Sequence, residues 1–196
     1  MKILILASAR SGSTILIRAL SKILKLYPYG EPFNYGLPNR PDTYPFPLQS
    51  RSIVKTLVHQ RPQKYDGKED FYQVYKREFD KVILLTRKDL QQTYESLSYN
   101  VHNHPNGDWP FRYWYKKVPF KQELYDSVGL QYKQILQYSK KWDIPVTYYE
   151  NLYSGNKEII YECIKTWNLK IDYDRLYHFI DPKNRYRKEG KPDNLL

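Results

Sequence analysis

Ala9-Arg10-Ser11-Gly12-Ser13-Thr14 gathers a permanent cation, three hydroxyls and a glycine within six residues. The set suits an anion. It follows the apolar run Lys2-Ile3-Leu4-Ile5-Leu6-Ala7, which reads as a buried parallel strand. It precedes Ile15, Leu16, Ala19, Leu20, Ile23 and Leu24, whose spacing predicts a helix over about 13–25. A strand that opens into a helix this way offers unpaired amides and a positive dipole end to a phosphate. The plainer reading is a polar turn with Ser13 as helix cap. On the triphosphatase pattern G-x-x-x-x-G-K-[ST], Gly12 and Thr14 match, but Ala7 replaces the first glycine and Ser13 the lysine.

A second cation reinforces the departure. Lys81-Val82-Ile83-Leu84-Leu85-Thr86 reads as a central buried strand and ends in Arg87, where triphosphatases commonly carry a magnesium-binding Asp. An arginine there binds phosphate directly, so no metal is expected. The alternative for Arg87 is a surface pair with Asp89, although the ends of parallel strands are where open α/β sheets bind ligands. Lys55, after Ile53-Val54, either snorkels from a strand end or supplies charge to a reacting group. Glu31, in a proline-bounded segment, and His59, after a strand, are the candidate general bases; each has an ordinary structural alternative. His102 and His104 have poor metal-ligand spacing and read as part of a loop.

Further elements must position these groups. A short strand is expected near Tyr27, others at Ser52–Leu57 and Pro145–Tyr149. Helices are expected over about 90–99, 121–142, 156–167 and 173–179. His102 to Pro110 is expected to stop the helix over about 90–99, and Tyr27 to Pro47 to be mostly loop. The alternation implies one domain over 1–196, a three-layer α/β/α arrangement around a central parallel sheet of about four or five strands.

Composition narrows the partners. Thirty-two Lys and Arg against 21 Asp and Glu give a net charge of +11, which favours an anionic ligand or surface. The single Cys163, expected on a helix as a buried apolar residue, excludes an internal disulfide and fits a reducing, cytoplasmic compartment. No signal peptide or membrane anchor is expected, because Ile3–Ala7 is too short to span a bilayer. The tail from Asp181 reads as a solvated basic terminus.

Arg10-Ser11-Gly12-Ser13-Thr14 resembles the phosphosulfate loop of the sulfotransferase family, in its carbohydrate-modifying branch. Arg87 followed nine residues later by Ser96, with Asp89 between, resembles that family's second signature; Ser98 is the fallback. Gly30-Glu31-Pro32-Phe33-Asn34-Tyr35 looks like its acceptor-side carboxylate segment, Tyr149-Glu150-Asn151-Leu152 like its Tyr-Glu-Asp-Leu turn, and Arg187-Lys188-Glu189-Gly190 like its late basic segment with one residue inserted.

The resemblance implies a P-loop-like sulfotransferase fold and sulfuryl transfer from 3′-phosphoadenosine-5′-phosphosulfate (PAPS) to a hydroxyl, foremost on a carbohydrate. Adenosine 3′,5′-bisphosphate (PAP) would be the product. Arg10, Ser11, Gly12, Ser13 and Thr14 would hold the 5′-phosphosulfate, and Arg87, Ser96, Arg187 and Lys188 the 3′-phosphate. Lys55 would help at the sulfuryl group, with Glu31 or His59 as base. Two other readings stand beside it: a divergent P-loop nucleotide kinase, and a basic nucleic-acid-binding protein that uses clusters such as Tyr113-Trp114-Tyr115-Lys116-Lys117. The acceptor and the oligomeric state are not encoded in any motif.

Overall fold

The computed structural model describes residues 1–34, 47–62, 65, 69–103 and 119–181. Five strands form one parallel sheet in the order β2-β3-β1-β4-β5: β1 (Lys2–Ala7), β2 (Tyr27–Gly30), β3 (Ser52–Leu57), β4 (Lys81–Thr86) and β5 (Val146–Tyr148). The helices are α1 (Ser13–Leu24), α2 (Phe71–Tyr75), α3 (Leu90–Asn103), α4 (Gln122–Trp142), α5 (Tyr149–Leu152), α6 (Lys157–Lys165) and α7 (Tyr173–Ile180). The expected α/β class and parallel sheet are both present. Among the described residues, no helix is long and apolar enough to cross a membrane.

The apolar runs are continuous because the sheet is covered on both faces. Successive side chains of a strand point to opposite sides. Ile3, Ile5 and Ala7 of β1, with Ile53, Ile83 and Leu85, pack against Leu16, Leu20, Ile160, Ile164 and Leu176 of α1, α6 and α7. Leu4 and Leu6, with Val54 and Leu84, pack against Phe71, Tyr72 and Tyr75 of α2 and Ile135, Tyr138 and Trp142 of α4. The central strand β1 is thus buried on both faces and paired on both edges, and the loop that leaves its carboxyl end starts from a rigid base.

Several boundaries differ from the sequence expectation. α3 runs on through His102 to Asn103. His and Asn lower helix propensity only mildly; Pro105 is the first residue that forbids helix outright. Tyr149 belongs to α5 rather than to the last strand. α2 has no counterpart among the expected elements. It is only five residues long, and its three buried aromatics are held by tertiary stacking, with Phe33 5.0 Å from Phe71 and Phe71 stacked 5.2 Å from Tyr75. Leu130 of α4 is exposed, and the stripe facing the core runs instead through Val128, Gln131, Ile135, Tyr138 and Trp142. Cys163 is half-buried on α6, where burial pushes its thiol pKa up to about 11.

Chain order places the candidate groups together. From β1 the chain crosses to β2 and β3 on one side, then passes over β1 to β4 and β5 on the other. The direction of winding therefore reverses beside β1, and in open parallel sheets the crevice at such a point, outside the carboxyl ends of the strands, is where ligands bind. Residues 8–14, 31, 55–59 and 87 all lie at those ends.

Candidate functional site

The loop after β1 is tightly defined. Arg10 and Gly12 both adopt left-handed backbone, at φ 60° and 80°. Glycine does so without cost, whereas a residue with a Cβ is held there only by its surroundings. Those surroundings are visible. The Ser8 amide donates to Leu85 O at 3.0 Å. Ser11 Oγ donates to Ser8 O at 2.8 Å, and the Ala9 amide to Gln131 Oε1 at 2.9 Å.

α1 begins at Ser13, so Ser13 is the first helical residue and not the cap. The cap is Gly12, which has no side chain to close the helix end. The first-turn amides of α1 consequently face the loop without a side-chain acceptor from the cap, the arrangement that receives anions.

Arg10 reaches across the site. Its Nε donates to Ser96 Oγ on α3 at 2.8 Å, joining the loop after β1 to the helix after β4. Ser96 is half-buried and Ser98 is buried. Arg87 does not pair with Asp89. Asp89 instead caps α3 by accepting the Gln92 amide at 2.8 Å, while Arg87 lies over the Tyr149 ring at 4.5 Å and donates to Gln92 Oε1. Its Nε is buried and makes no hydrogen bond to the described residues, with the Glu150 carboxylate 3.9 Å away. That carboxylate accepts the amides of Lys88 and Asp89, at 3.0 and 3.1 Å. A buried guanidinium N–H without a hydrogen bond is costly unless an anion completes it.

At the end of β3, Lys55 is buried to 5% exposure, although its side chain is cationic. Its ammonium donates to Glu31 and, at 3.3 Å, to Thr14 Oγ1 at the start of α1. Glu31, itself at φ 49°, also accepts from Gln60 Nε2 at 2.9 Å and Asn34 Nδ2 at 2.7 Å. Burial raises the Glu31 pKa, but the Lys55 charge and the three hydrogen bonds outweigh it and hold the carboxyl below its ordinary value.

His59 belongs to the same group. Although its side chain reaches the surface, desolvation lowers its pKa below the ordinary imidazole value, against a hydrogen bond with Gln131 and the charge of Glu31, which both raise it.

The structure thus gathers Arg10, Ser11, Gly12, Ser13, Thr14, Glu31, Lys55, His59, Arg87 and Ser96 around the carboxyl ends of β1, β2, β3 and β4. Arg187, Lys188 and His104 lie outside the described residues. Among the described residues no three His, Cys, Asp or Glu side chains are grouped to hold a metal ion.

Sequence reasoning missed three participants. Gln131 fastens the loop to α4 through the Ala9 amide, and the sign available was a glutamine standing in the buried stripe of α4. Gln60 completes Glu31 from three residues past β3. Tyr153 donates to Gly12 O at 2.7 Å from 141 residues away, a contact without sequence signal. No protein-family model matches the chain, and no curated protein does.

Proposed function

We propose that the chain is a sulfotransferase that moves the sulfuryl group of PAPS onto a hydroxyl acceptor, foremost on a carbohydrate. The observation that carries this reading is the pairing of two anion-receiving centres. One is the loop over the uncapped start of α1, and the other is the half-buried Arg87, whose Nε is buried and makes no hydrogen bond to the described residues. Arg10, bonded to Ser96, lies between the loop and α3. A donor with a 5′-phosphosulfate and a 3′-phosphate has two anionic ends to match them.

In the proposed reaction the acceptor oxygen attacks sulfur, and the bond between sulfur and the 5′-phosphate oxygen breaks. PAP leaves, and the acceptor proton passes to a base. Arg10, the first-turn amides and the hydroxyls of Ser13 and Thr14 receive the 5′ end, while Ser11, whose hydroxyl is bonded to Ser8 O, holds the loop in shape; Arg87 and Ser96 receive the 3′-phosphate, joined by Arg187 and Lys188 from the tail. Catalysis rests on positioning and on fixed positive charge where charge builds up on the leaving group.

Lys55 connects this centre to the base. Its ammonium is held by Glu31 and Thr14. Drawn toward the sulfuryl group, it withdraws the interaction that keeps the Glu31 pKa low, while the desolvation that raises it remains. Glu31 then becomes a stronger base when donor is in place. His59 is the second candidate. Its lowered pKa keeps it unprotonated near neutrality, and the two are separated by comparing the pH–rate profiles of Glu31→Gln and His59→Asn.

Incubation with isotopically labelled donor and a panel of glycans, read by mass spectrometry, tests the reaction. Label on a sugar hydroxyl is the expected result. Phosphoryl transfer from ATP with a magnesium requirement would replace the reading with a divergent P-loop nucleotide kinase. Salt-dependent retention of single-stranded DNA that PAP does not displace would replace it with nucleic-acid binding.

A further inference from the structure

We propose that Tyr149 and Tyr153 are positioning residues that brace the two anion-receiving centres against each other, Tyr153 aiming the loop amides and Tyr149 aiming Arg87. The inference rests on the donor assignment above and extends it to residues outside the contact shell.

The Gly12 carbonyl accepts the Tyr153 hydroxyl at 2.7 Å, as well as the amides of Ile15 and Leu16 at 3.1 and 3.2 Å. A trans peptide is planar, so fixing the direction of the Gly12 C=O fixes the opposed N–H of Ser13 in the same plane. The tyrosine thereby sets the first amide of α1. Its approach is possible only because position 12 is glycine: a Cβ there would lie 2.4 Å from Cε2 of the Tyr153 ring.

Tyr149 stands four residues earlier, one turn away on the same face. Its ring centroid is 4.8 Å from that of Tyr153, and the Tyr153 amide donates to Tyr149 O at 2.9 Å. The Tyr149 ring also lies under the Arg87 guanidinium, 4.5 Å from its centroid. A continuous path therefore runs from Gly12 through Tyr153 and Tyr149 to Arg87. Space-filling alone accounts for the burial of these rings but not for a hydroxyl aimed at the cap carbonyl or a ring under the guanidinium.

The test is calorimetric titration of the full chain with adenosine 5′-monophosphate, adenosine 3′-monophosphate and PAP. Tyr153→Phe keeps the ring and removes the hydroxyl. It should weaken the 5′-monophosphate and PAP by about fivefold and leave the 3′-monophosphate unchanged. Tyr149→Leu keeps apolar packing and removes the cation–π contact. It should weaken the 3′-monophosphate and PAP by about threefold to tenfold and leave the 5′-monophosphate unchanged.

Variants that weaken all three ligands equally, or none, overturn the brace, since a purely structural role has no preference between the ends. If Tyr153→Phe does not fold, the selectivity of Tyr149→Leu decides. A parent chain that binds none of the three ligands overturns the donor assignment and the brace with it, whereas a binding parent with unselective variants overturns the brace alone.

Discussion

Nε of Arg10 donates to Oγ of Ser96 across 2.8 Å, so a residue of the first loop and a residue of the third helix, 86 positions apart, share one hydrogen bond at the centre of the candidate site. The serine holds the guanidinium in place. Arg10→Ala should lower the rate of the proposed sulfuryl transfer on the order of a hundredfold, the usual cost of one preorganised donor. Ser96→Ala should cost less, and the double variant less than the sum of the two, because both act through the same contact. Single-turnover rates of the three variants check this; additive effects would separate the roles of the two residues.

Lys55 and Glu31 form an ion pair with little exposure, 7% for the lysine side chain and 19% for the glutamate. Removing one partner of such a pair strands the other charge. Lys55→Met should therefore destabilise the fold by about 3 kcal/mol at neutral pH, and Lys55→Met combined with Glu31→Gln should recover most of it. Because the folded Glu31 pKa is depressed, its contribution is present above the ordinary carboxylate value and is lost as pH falls through the folded value. Urea denaturation as a function of pH should show a weaker acid limb in Glu31→Gln than in the parent.

His59 acts on the same acid side, at higher pH. Its folded pKa lies below 6.5, so on acidification the unfolded chain takes up the imidazole proton first. Stability should fall as pH drops through about 6.5 and level off below the folded value. Thermal melts from about pH 7.5 to about pH 5 should show this slope in the parent and a smaller one in His59→Asn.

Gly12 tolerates no side chain for two independent reasons, its φ of 80° and the Tyr153 ring 2.4 Å from where a Cβ would sit. Gly12→Ala should cost about 3 kcal/mol, combining left-handed strain with overpacking. In a chain of this size that lowers Tm on the order of 10 °C. Adding Tyr153→Leu should restore part of the loss, since it relieves the contact but not the backbone strain; calorimetric melts of the two variants make the comparison.

The strands that build the sheet were legible because burial on both faces leaves an unbroken apolar run, as at Ile3–Ala7 and Val82–Leu85. The loop was legible too, since Arg10-Ser11-Gly12-Ser13-Thr14 is contiguous and its position between strand and helix follows from local pattern. β2 gave only a weak signal: its Tyr27-Pro28-Tyr29-Gly30 lies at a sheet edge with Tyr27 half-exposed. What stayed hidden depends on contacts distant in the chain. Gln131 meets Ala9 across 122 positions, Tyr153 meets Gly12 across 141, and Glu150 meets the amides of Lys88 and Asp89 across about 60. α2 was hidden for a related reason, since five residues are too few to be helical alone and Phe71, Tyr72 and Tyr75 are fixed by the rings around them.

The central claim is that the site takes an adenine nucleotide carrying a 3′-phosphate, and calorimetry of the parent chain with PAP and with ADP, without magnesium, tests it most directly. PAP should bind at least tenfold more tightly than ADP, and Arg87→Ala should remove most of that preference. Equal affinities for the two nucleotides, or binding that appears only with magnesium, would contradict it.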